Sequence, residues 1–358
     1  MKTKISRDKL IIWFINNEFE LYTQMCNSCH TVDLKYPNVF HAENEIFTHT
    51  LMVMTVIEAN KEKYTDDDYI VLVTSALLHD TGKPQCQQEM PATDTKPIRN
   101  SFQGHEGVSS FIAVGVLKKL QRDFPEIYTD KIIEKIIKVV SLHGAYIEET
   151  SDLYFLRCEM HKADKNGAVR SVDEAIFSQY SPRKYIKQSK VNQEKRLILL
   201  IGLPNSGKSN LRSELNKFGE YFVLSRDDLL ETFYEVKTGE KASYNEMYNY
   251  IHKDDKILKE FENCFRAQIE QSQKYSNVLV DMTQLSLSSR RKMLNNFQNF
   301  RKSAIVVMTD NAELYKRNKE RFQKTNKYIS EKVIFNMMTS FVFPVLEEGF
   351  EDIELVIN

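Results

Sequence analysis

The chain has no run of ~18 apolar residues of the kind that spans a bilayer. Its first residues, MKTKISRDKLIIWF, carry charge but no long apolar stretch behind it. Neither a membrane span nor a secretory signal is expected, and the protein is read as cytoplasmic. Cysteine is scarce: Cys26, Cys29, Cys86, Cys158 and Cys264 form an odd, scattered set. That argues against a disulfide framework and for free thiols in a reducing compartment. Net charge is only −1, so a global basic signature of nucleic-acid binding is missing, although local basic patches stay open. Internal repeats and low-complexity tracts are absent too.

One cysteine string resembles a cofactor motif. Cys26-Asn27-Ser28-Cys29-His30 matches the spacing of haem attachment, but it falls in a predicted helix and follows no secretory signal. A zinc site would need a second ligand pair nearby. The match is read as chance.

What is there suits two globular domains: 358 residues, 42% apolar and 28% charged. The first ~185 residues show helical apolar periodicity over 46–60, 67–79, 105–122, 130–143 and 152–164, which predicts an all-α bundle. Residues 84–104, with three prolines and a Thr/Asp cluster, read as a loop over a site. Residues 178–195 are polar and basic and read as a linker. From Arg196 the pattern changes. RLILLIG, YFVL at 221–224, NVLVD at 277–281 and AIVVM at 304–308 are short apolar runs that fit buried parallel strands. Helical stretches such as 244–273 and 286–299 separate them, and the final DIELVIN reads as a last strand. The fold class is therefore α + α/β, with an all-α domain over 1–180, a linker over 181–195 and a parallel-sheet domain over 196–358. The apolar stretch FNMMTSFVF within 330–350 suits either a homo-oligomer interface or a core helix, and the core reading is preferred.

Residues 202–209 read GLPNSGKS, a full G-x-x-x-x-G-K-S phosphate loop that follows a predicted strand and opens a predicted helix. Gly202 and Gly207 permit a backbone that other residues resist. The amides of Asn205, Ser206, Gly207 and Lys208 are expected to face phosphate at a helix N-terminus. Lys208 is expected to bridge the β- and γ-phosphates, and Ser209 to ligate Mg²⁺. The donor, ATP or GTP, stays open. Downstream, Asp227 follows the second strand, Asp281 ends the third, and Arg317 and Arg321 share one helix face. An acid at a strand end can take the proton of an attacking hydroxyl. Two arginines can clamp transferring phosphate charge; alone, they would read as a solvated helix.

Upstream, His49, the pair His79-Asp80, His105, His143 and Asp164 fall near the ends of consecutive predicted helices. Imidazole with carboxylate suits Mn, Fe, Co, Ni or Zn. One aspartate can bridge two ions, and such a pair can activate water on a phosphate ester. A lone histidine on an apolar face is more often core; the series is harder to dismiss. His41 and His161 either contact substrate or sit at the surface, and His30 and His252 are read as structural.

From about Arg196 to Tyr328 the chain resembles the kinase domain of phage-type 5′-hydroxyl polynucleotide kinases, through the phosphate loop, Arg226-Asp227-Asp228, Asp281-Met282-Thr283 and Lys316-Arg317-Asn318 with Arg321. The resemblance implies Asp227 as general base, Arg317 and Arg321 on the transferred phosphoryl, and Arg226 and Asp281 near the acceptor. Where that family often has an arginine for the acceptor's 3′-phosphate, this chain has Leu230. Over about 40–170 it resembles the HD phosphohydrolases, notably those attached to some bacterial tRNA nucleotidyltransferases, through His41-Ala42-Glu43, His49-Thr50-Leu51-Met52, LLHDTGKP, Gly104-His105-Glu106 and Ala163-Asp164-Lys165-Asn166-Gly167. That likeness implies one metal on His49, His79, Asp80 and Asp164. A second would sit on His105 and His143, sharing Asp80, with Lys83 on the substrate phosphate.

Together the halves look like the end-healing enzymes called HD-Pnk. The expectation is a 5′-hydroxyl kinase joined to a 2′,3′-phosphoesterase acting on RNA or DNA ends, with NTP and divalent metals as cofactors and a separate RNA ligase to seal. The rivals are a small-molecule or nucleotide kinase fused to a nucleotide phosphohydrolase, and a kinase whose HD half is a regulatory or RNA-binding module.

Overall fold

The structure is a computed structural model, and it describes residues 5–33, 35, 36, 38, 41–93, 98–145, 153–169, 192–325 and 327–358. These fall into two compact units, one within 1–184 together with 338–343, the other within 185–337 together with 344–358.

The first unit is built from α1 (Arg7–Asn17), α2 (Phe19–Asn27), α3 (Ile46–Ala59), α4 (Asp66–Leu78), the short α5 (Lys83–Cys86), an antiparallel strand pair β1 (Gln88–Met90) and β2 (Arg99–Ser101), α6 (His105–Asp123), α7 (Asp130–Ser141) and α8 (Tyr154–Asn166). Ser6, Thr65 and Thr129 cap α1, α4 and α7 by accepting from Lys9, Asp68 and Ile132 amides. Asp66, Asp67 and Asp68 add negative charge where the α4 dipole is positive. Every residue of α4 from Ile70 to Leu78 is buried, so α4 is the central helix of this unit. His79 and Asp80 follow directly at its C-terminal end.

The predicted helices are all present here. The stretch 84–104 is not a plain loop, because it contains α5 and the β1–β2 ladder. Its prolines explain the miss. Pro84 sits in the first turn of α5 and Pro91 just beyond β1, where a missing N–H removes no ladder bond. Residues 94–97 lie outside the described set. The string from Cys26 to His30 does not sit in one helix either: α2 ends at Asn27, and Cys29 instead pairs its backbone with Glu45. The five cysteines are free.

The second unit holds β3 (Asn192–Ile201), α9 (Lys208–Phe218), β4 (Phe222–Leu224), α10 (Arg226–Thr238), α11 (Tyr244–His252), α12 (Asp255–Ser272), β5 (Asn277–Asp281), α13 (Leu287–Leu294), β6 (Phe300–Met308), α14 (Asn311–Thr325), α15 (Glu331–Thr339) up to Met337, and β7 (Asp352–Ile357). The strands form one five-stranded parallel sheet, ordered β4-β5-β3-β6-β7. Leu200 of β3 pairs with Asp281 on one side and Ile305 on the other, so the loop after β3 emerges between the carboxyl ends of its neighbours. Ligands bind at that edge of such sheets.

The linker expected over 181–195 lies outside the described residues as far as 191, and 192–195 already belong to β3. The helix expected over 244–273 is two helices, because the Asp254 side chain caps α12 by accepting from the Lys256 amide. The stretch 286–299 ends its α-helix at Leu294 and continues as a 3₁₀ turn. Within 330–350, Ile334, Met338, Phe341, Phe343 and Phe350 are buried in the chain, as the core reading required. Among the described residues no helix is long and apolar enough to cross a membrane.

Arg290 of α13 is fully buried and pairs twice with Glu348: Nε donates to Oε2 at 2.7 Å and Nη2 to Oε1 at 2.6 Å. Arg290→Met would strand the Glu348 carboxylate in the interior. It is expected to destabilise the unit by about 3–5 kcal/mol, read as a lower denaturation midpoint; a loss below about 1 kcal/mol would contradict this reading of the pair.

Candidate active sites

The end of α4 sets the first site. Asp80 is 1% exposed and its two oxygens face different partners. On the Oδ2 side lie His79 Nε2 at 3.2 Å and His49 Nε2 at 3.9 Å. The same rings meet Asp164 Oδ1 at 3.6 and 2.9 Å. On the Oδ1 side lie His105 Nε2 at 3.3 Å and His143 Nε2 at 3.9 Å, these two nitrogens being 3.1 Å apart. His49, His79 and Asp164 thus form one group able to hold a cation, and Asp80, His105 and His143 a second. Each of the six predicted ligands reaches the cluster.

The orientation of the rings is built by the backbone. His79 Nδ1 donates to Ala76 O at 2.8 Å, His105 Nδ1 to Phe102 O at 2.8 Å and His143 Nδ1 to Val140 O at 2.6 Å. In each case the acceptor is the carbonyl three residues earlier. His49 is different: it sits inside α3, where carbonyls are engaged by the helix. Its Nδ1 lies 2.8 Å from the buried Glu43 carboxylate instead, an ion-pair contact without the hydrogen-bond geometry of the other three. All four Nε2 atoms are therefore left facing Asp80 and Asp164. Fixing one ring nitrogen in this way is how metal-binding imidazoles are oriented.

The site is electrically frustrated as it stands. Among the described residues neither His79 Nε2 nor the Asp80 oxygens make a well-formed hydrogen bond despite burial. Burial opposes ionisation of Asp80, but His79, Lys83 and His105 outweigh it and hold its pKa well below the carboxylate range. Burial likewise opposes charging of His79, yet Asp80 and Asp164 lift its pKa to about 10. Burial, with His105 and His79 beside it, pushes His143 down to about 4. A buried carboxylate ringed by imidazole nitrogens fits one or two divalent ions, which would take the place of the proton held on His79. Lys83 Nζ lies 2.7 Å from Asp80 Oδ2, within reach of anything bound there.

His30, read from sequence as structural, is buried and stacks on His41 at 4.0 Å, at the edge of this cluster. Burial, with Lys83 nearby, lowers its pKa to about 2. His41 donates from Nδ1 to Glu43 at 2.9 Å, while His161 is exposed on α8. Glu43 was only part of a quoted motif in the sequence. The signal that could have found it is its place six residues before His49, across a turn at Asn44 (φ 65°).

The second site is a cleft of 1170 Å³ at the carboxyl edge of the sheet. The loop from Gly202 to Ser209 forms its floor. A Cβ at Gly202 would meet Val307 O at 2.4 Å, and Gly207 has φ 104° as it opens α9, so both positions demand glycine. Lys208 is buried and donates from Nζ to Gly202 O and Leu203 O at 2.8 and 2.7 Å. Burial lowers its pKa to about 8, against the pull of Asp281 and Asp227. The Asn205 side chain and carbonyl are gripped from α14. Arg317 Nη1 donates to Asn205 O at 3.3 Å, Arg321 Nη1 to Asn205 Oδ1 at 3.2 Å, and Asn205 Nδ2 to Asn318 Oδ1 at 3.2 Å. The arginines therefore face the phosphate loop rather than bulk solvent.

Asp227 enters from the start of α10, whose N-terminus Ser225 caps. Its Oδ2 accepts from Lys327 Nζ at 2.5 Å and its Oδ1 from the Tyr244 hydroxyl at 3.2 Å. Burial and Asp227 push the Tyr244 hydroxyl up. Asp281, at the end of β5, accepts from Arg212 Nη1 at 3.3 Å, and Asp228 from Arg212 Nη2 at 2.6 Å. Arg226 lines the cleft, but its guanidinium is held by Glu262 at 2.5 and 3.1 Å and stacks on Phe261 and Phe265. Leu230 is buried. Sequence reasoning missed Lys327, Tyr244 and Arg212, and named Asn318 only as part of the motif around Arg317. Lys327 in particular lies in a lysine-rich stretch 100 residues from its partner, with no local pattern to mark it.

Residues 46–176 match the family described as HD domain, and residues 197–344 that described as AAA domain. The chain joins an HD domain to an AAA-type phosphate-loop domain. It is similar to the bifunctional polynucleotide phosphatase/kinase of Schizosaccharomyces pombe, at 24% identity over 191 residues. That match spans 50% of this chain and 40% of the relative. Among solved structures it is similar to the Pnkp1/Rnl/Hen1 RNA repair complex, at 23% identity and TM-score 0.34, over 42% of this chain and 45% of that one. A gluconokinase from Sinorhizobium meliloti is similar at 15% identity and TM-score 0.30, over 46% of this chain and 84% of that one.

If Glu43 holds the His49 ring, Glu43→Gln should weaken divalent-metal binding about 10- to 100-fold, measured by calorimetric titration with Mn²⁺. Unchanged affinity would show that Glu43 is only a packing residue.

Proposed function

We propose that the chain heals broken nucleic-acid ends. Its AAA-type unit would transfer the γ-phosphoryl of an NTP to a 5′-hydroxyl, and its HD unit would remove 2′,3′-cyclic, 2′- or 3′-phosphate from the other end. The observation that carries the proposal is a buried Asp80 dividing four Nε2 atoms into two groups, on the same chain as a phosphate loop faced by an aspartate at a strand end. Kinship in part of the chain with a bifunctional polynucleotide phosphatase/kinase supports it.

In the transferase unit the loop amides and Lys208 would cradle the β- and γ-phosphates, and Ser209 would ligate Mg²⁺. Asp227 would accept the proton as the 5′-oxygen attacks the γ-phosphorus, and the nucleoside diphosphate would leave. Lys327 and Tyr244 each take one lone pair of the Asp227 carboxylate, and the acceptor hydroxyl would donate to another. Arg317 and Arg321, already turned to Asn205, would meet the charge spreading over the phosphoryl oxygens. Asp281 stands beside the loop and would help position the metal or the acceptor.

In the HD unit His49, His79, Asp80 and Asp164 would hold one divalent ion, and Asp80, His105 and His143 a second. Ions there supply a water ionised near neutral pH and a clamp on the phosphate charge. The residues themselves do the positioning. The Nδ1 anchors keep the rings aimed, and Lys83 draws a phosphate oxygen toward Asp80. Water attack opens the cyclic ester to a monoester, and a second attack releases phosphate. A 2′,3′-cyclic phosphate requires a ribose, so RNA ends are the favoured substrate. The product, with a 5′-phosphate and free 2′,3′-hydroxyls, is what an RNA ligase consumes.

The test is an RNA oligonucleotide with a 5′-hydroxyl and a 2′,3′-cyclic phosphate, incubated with NTP and Mn²⁺ or Mg²⁺, with both termini identified by mass. Lys208→Ala and Asp227→Ala should each cut 5′ transfer by at least about 100-fold while leaving 3′ dephosphorylation intact. Asp80→Asn should do the converse. A folded Asp80→Asn protein that has lost both activities would contradict the two-site division.

A further inference from the structure

Helix α11 carries a row of aromatic rings that the chemistry above does not use beyond its first member. Tyr244, Tyr248 and His252 recur every four residues, so they lie on one helix face. Their rings are already stacked. Tyr244 and Tyr248 are 6.2 Å apart at 22°, and Tyr248 and His252 are 4.1 Å apart at 26°. His252 Nδ1 donates to the Tyr248 carbonyl at 2.8 Å, which fixes its ring over the tyrosine. All three line the cleft that contains Lys208 and Asp227.

The row has a beginning and a direction. Its first member touches the proposed general base, through the Tyr244 hydroxyl on Asp227. Two helical turns carry it on to His252, about 12 Å along the axis. Packing does not account for it, since Met247 and Ile251 make the buried contacts of α11, at 6% and 3% exposure. Tyr248 is left 46% exposed. The cleft, at 1170 Å³, also exceeds the roughly 300–1,000 Å³ usual for one small ligand. Stacked aromatic faces beside a phosphoryl-transfer centre suit flat, unpaired rings carried on a polyanionic chain. Every nucleobase has such a face, so this mode of binding tolerates any sequence.

We propose that Tyr248 and His252 are a stacking platform for the unpaired bases of the strand whose 5′-hydroxyl meets Asp227, continuing from Tyr244, whose own ring face is covered by Lys327 Nζ 3.3 Å from its centroid. The inference rests on the reading of this unit as a 5′-hydroxyl polynucleotide kinase, and it specifies a single-stranded end as the acceptor.

The test uses the full chain with a single-stranded 5′-hydroxyl RNA, and with the same RNA made abasic at its first three nucleotides. Tyr248→Ala should raise KM for the intact RNA about tenfold, the effect of losing one base–aromatic stack, with KM for NTP unchanged. Tyr248→Phe, which keeps the aromatic face, should restore the parental KM. Abasic RNA should raise the parental KM at least as much and erase the difference between parent and Tyr248→Ala. An unchanged KM in Tyr248→Ala, a loss confined to kcat, or a parental enzyme indifferent to the abasic sites would each overturn the platform alone. A parental enzyme that phosphorylates no oligonucleotide would overturn the kinase reading and the platform with it.

Discussion

A carboxylate buried at the end of the central helix is the constraint around which the HD unit is arranged. Asp80 is held ionised in the interior, which is tolerable only beside compensating charge. The surrounding backbone supplies that compensation in oriented form. Three helix or turn ends each offer a carbonyl to the Nδ1 of the histidine three residues on, and each Nε2 is thereby aimed inward. At His49 the helix has no carbonyl to spare, and the Glu43 carboxylate stands 2.8 Å from Nδ1 as an ion-pair neighbour. The result is a nest whose two halves share one residue. On this account the fold does not hold ligands that happen to be nearby. It uses helix ends and a turn, where backbone carbonyls still have a lone pair to offer, as the fixtures of the site.

The AAA-type unit solves a different problem by similar means. Its phosphate loop needs backbone geometry that only glycine allows at 202 and 207, and it needs Asn205 held with φ 66°. The grip comes from α14, through Arg317, Asn318 and Arg321. The residues proposed to stabilise the transferred phosphoryl are thus also those that keep the loop in shape. Asn318, 2% exposed, ties this helix in turn to the Ile329 carbonyl at 2.6 Å. Asp227, Asp281 and the loop all stand at carboxyl ends of adjacent strands, so the parallel register itself brings the acids to the phosphate site.

Much of this was legible in the sequence, and the reasons differ by element. Parallel strands such as 277–281 announce themselves as short apolar runs, because both faces of the sheet are covered. The six residues of the proposed metal site were visible because histidine and aspartate recurring along successive helices, mostly near their ends, form a pattern that packing does not require. Helix ends were less legible. The break between α11 and α12 depends on one capping side chain, Asp254, in a stretch whose periodicity runs straight through it. Pairings across long separations were invisible. Lys327 with Asp227 and Arg212 with Asp281 depend on where elements land, and each looks locally like an ordinary charged surface residue. Arg226 lines the cleft where the motif put it, but its partners, Glu262 and two phenylalanine rings, were not visible in the motif.

Asp80 as the shared ligand of two ions is the claim on which the hydrolase reading stands, and anomalous diffraction from Mn²⁺-soaked crystals tests it most directly. The account predicts two peaks about 3.5–4 Å apart, one beside His49, His79 and Asp164 and the other beside His105 and His143, with Asp80 between them. Peaks away from Asp80, or no ion among these imidazoles at saturating metal, would contradict it.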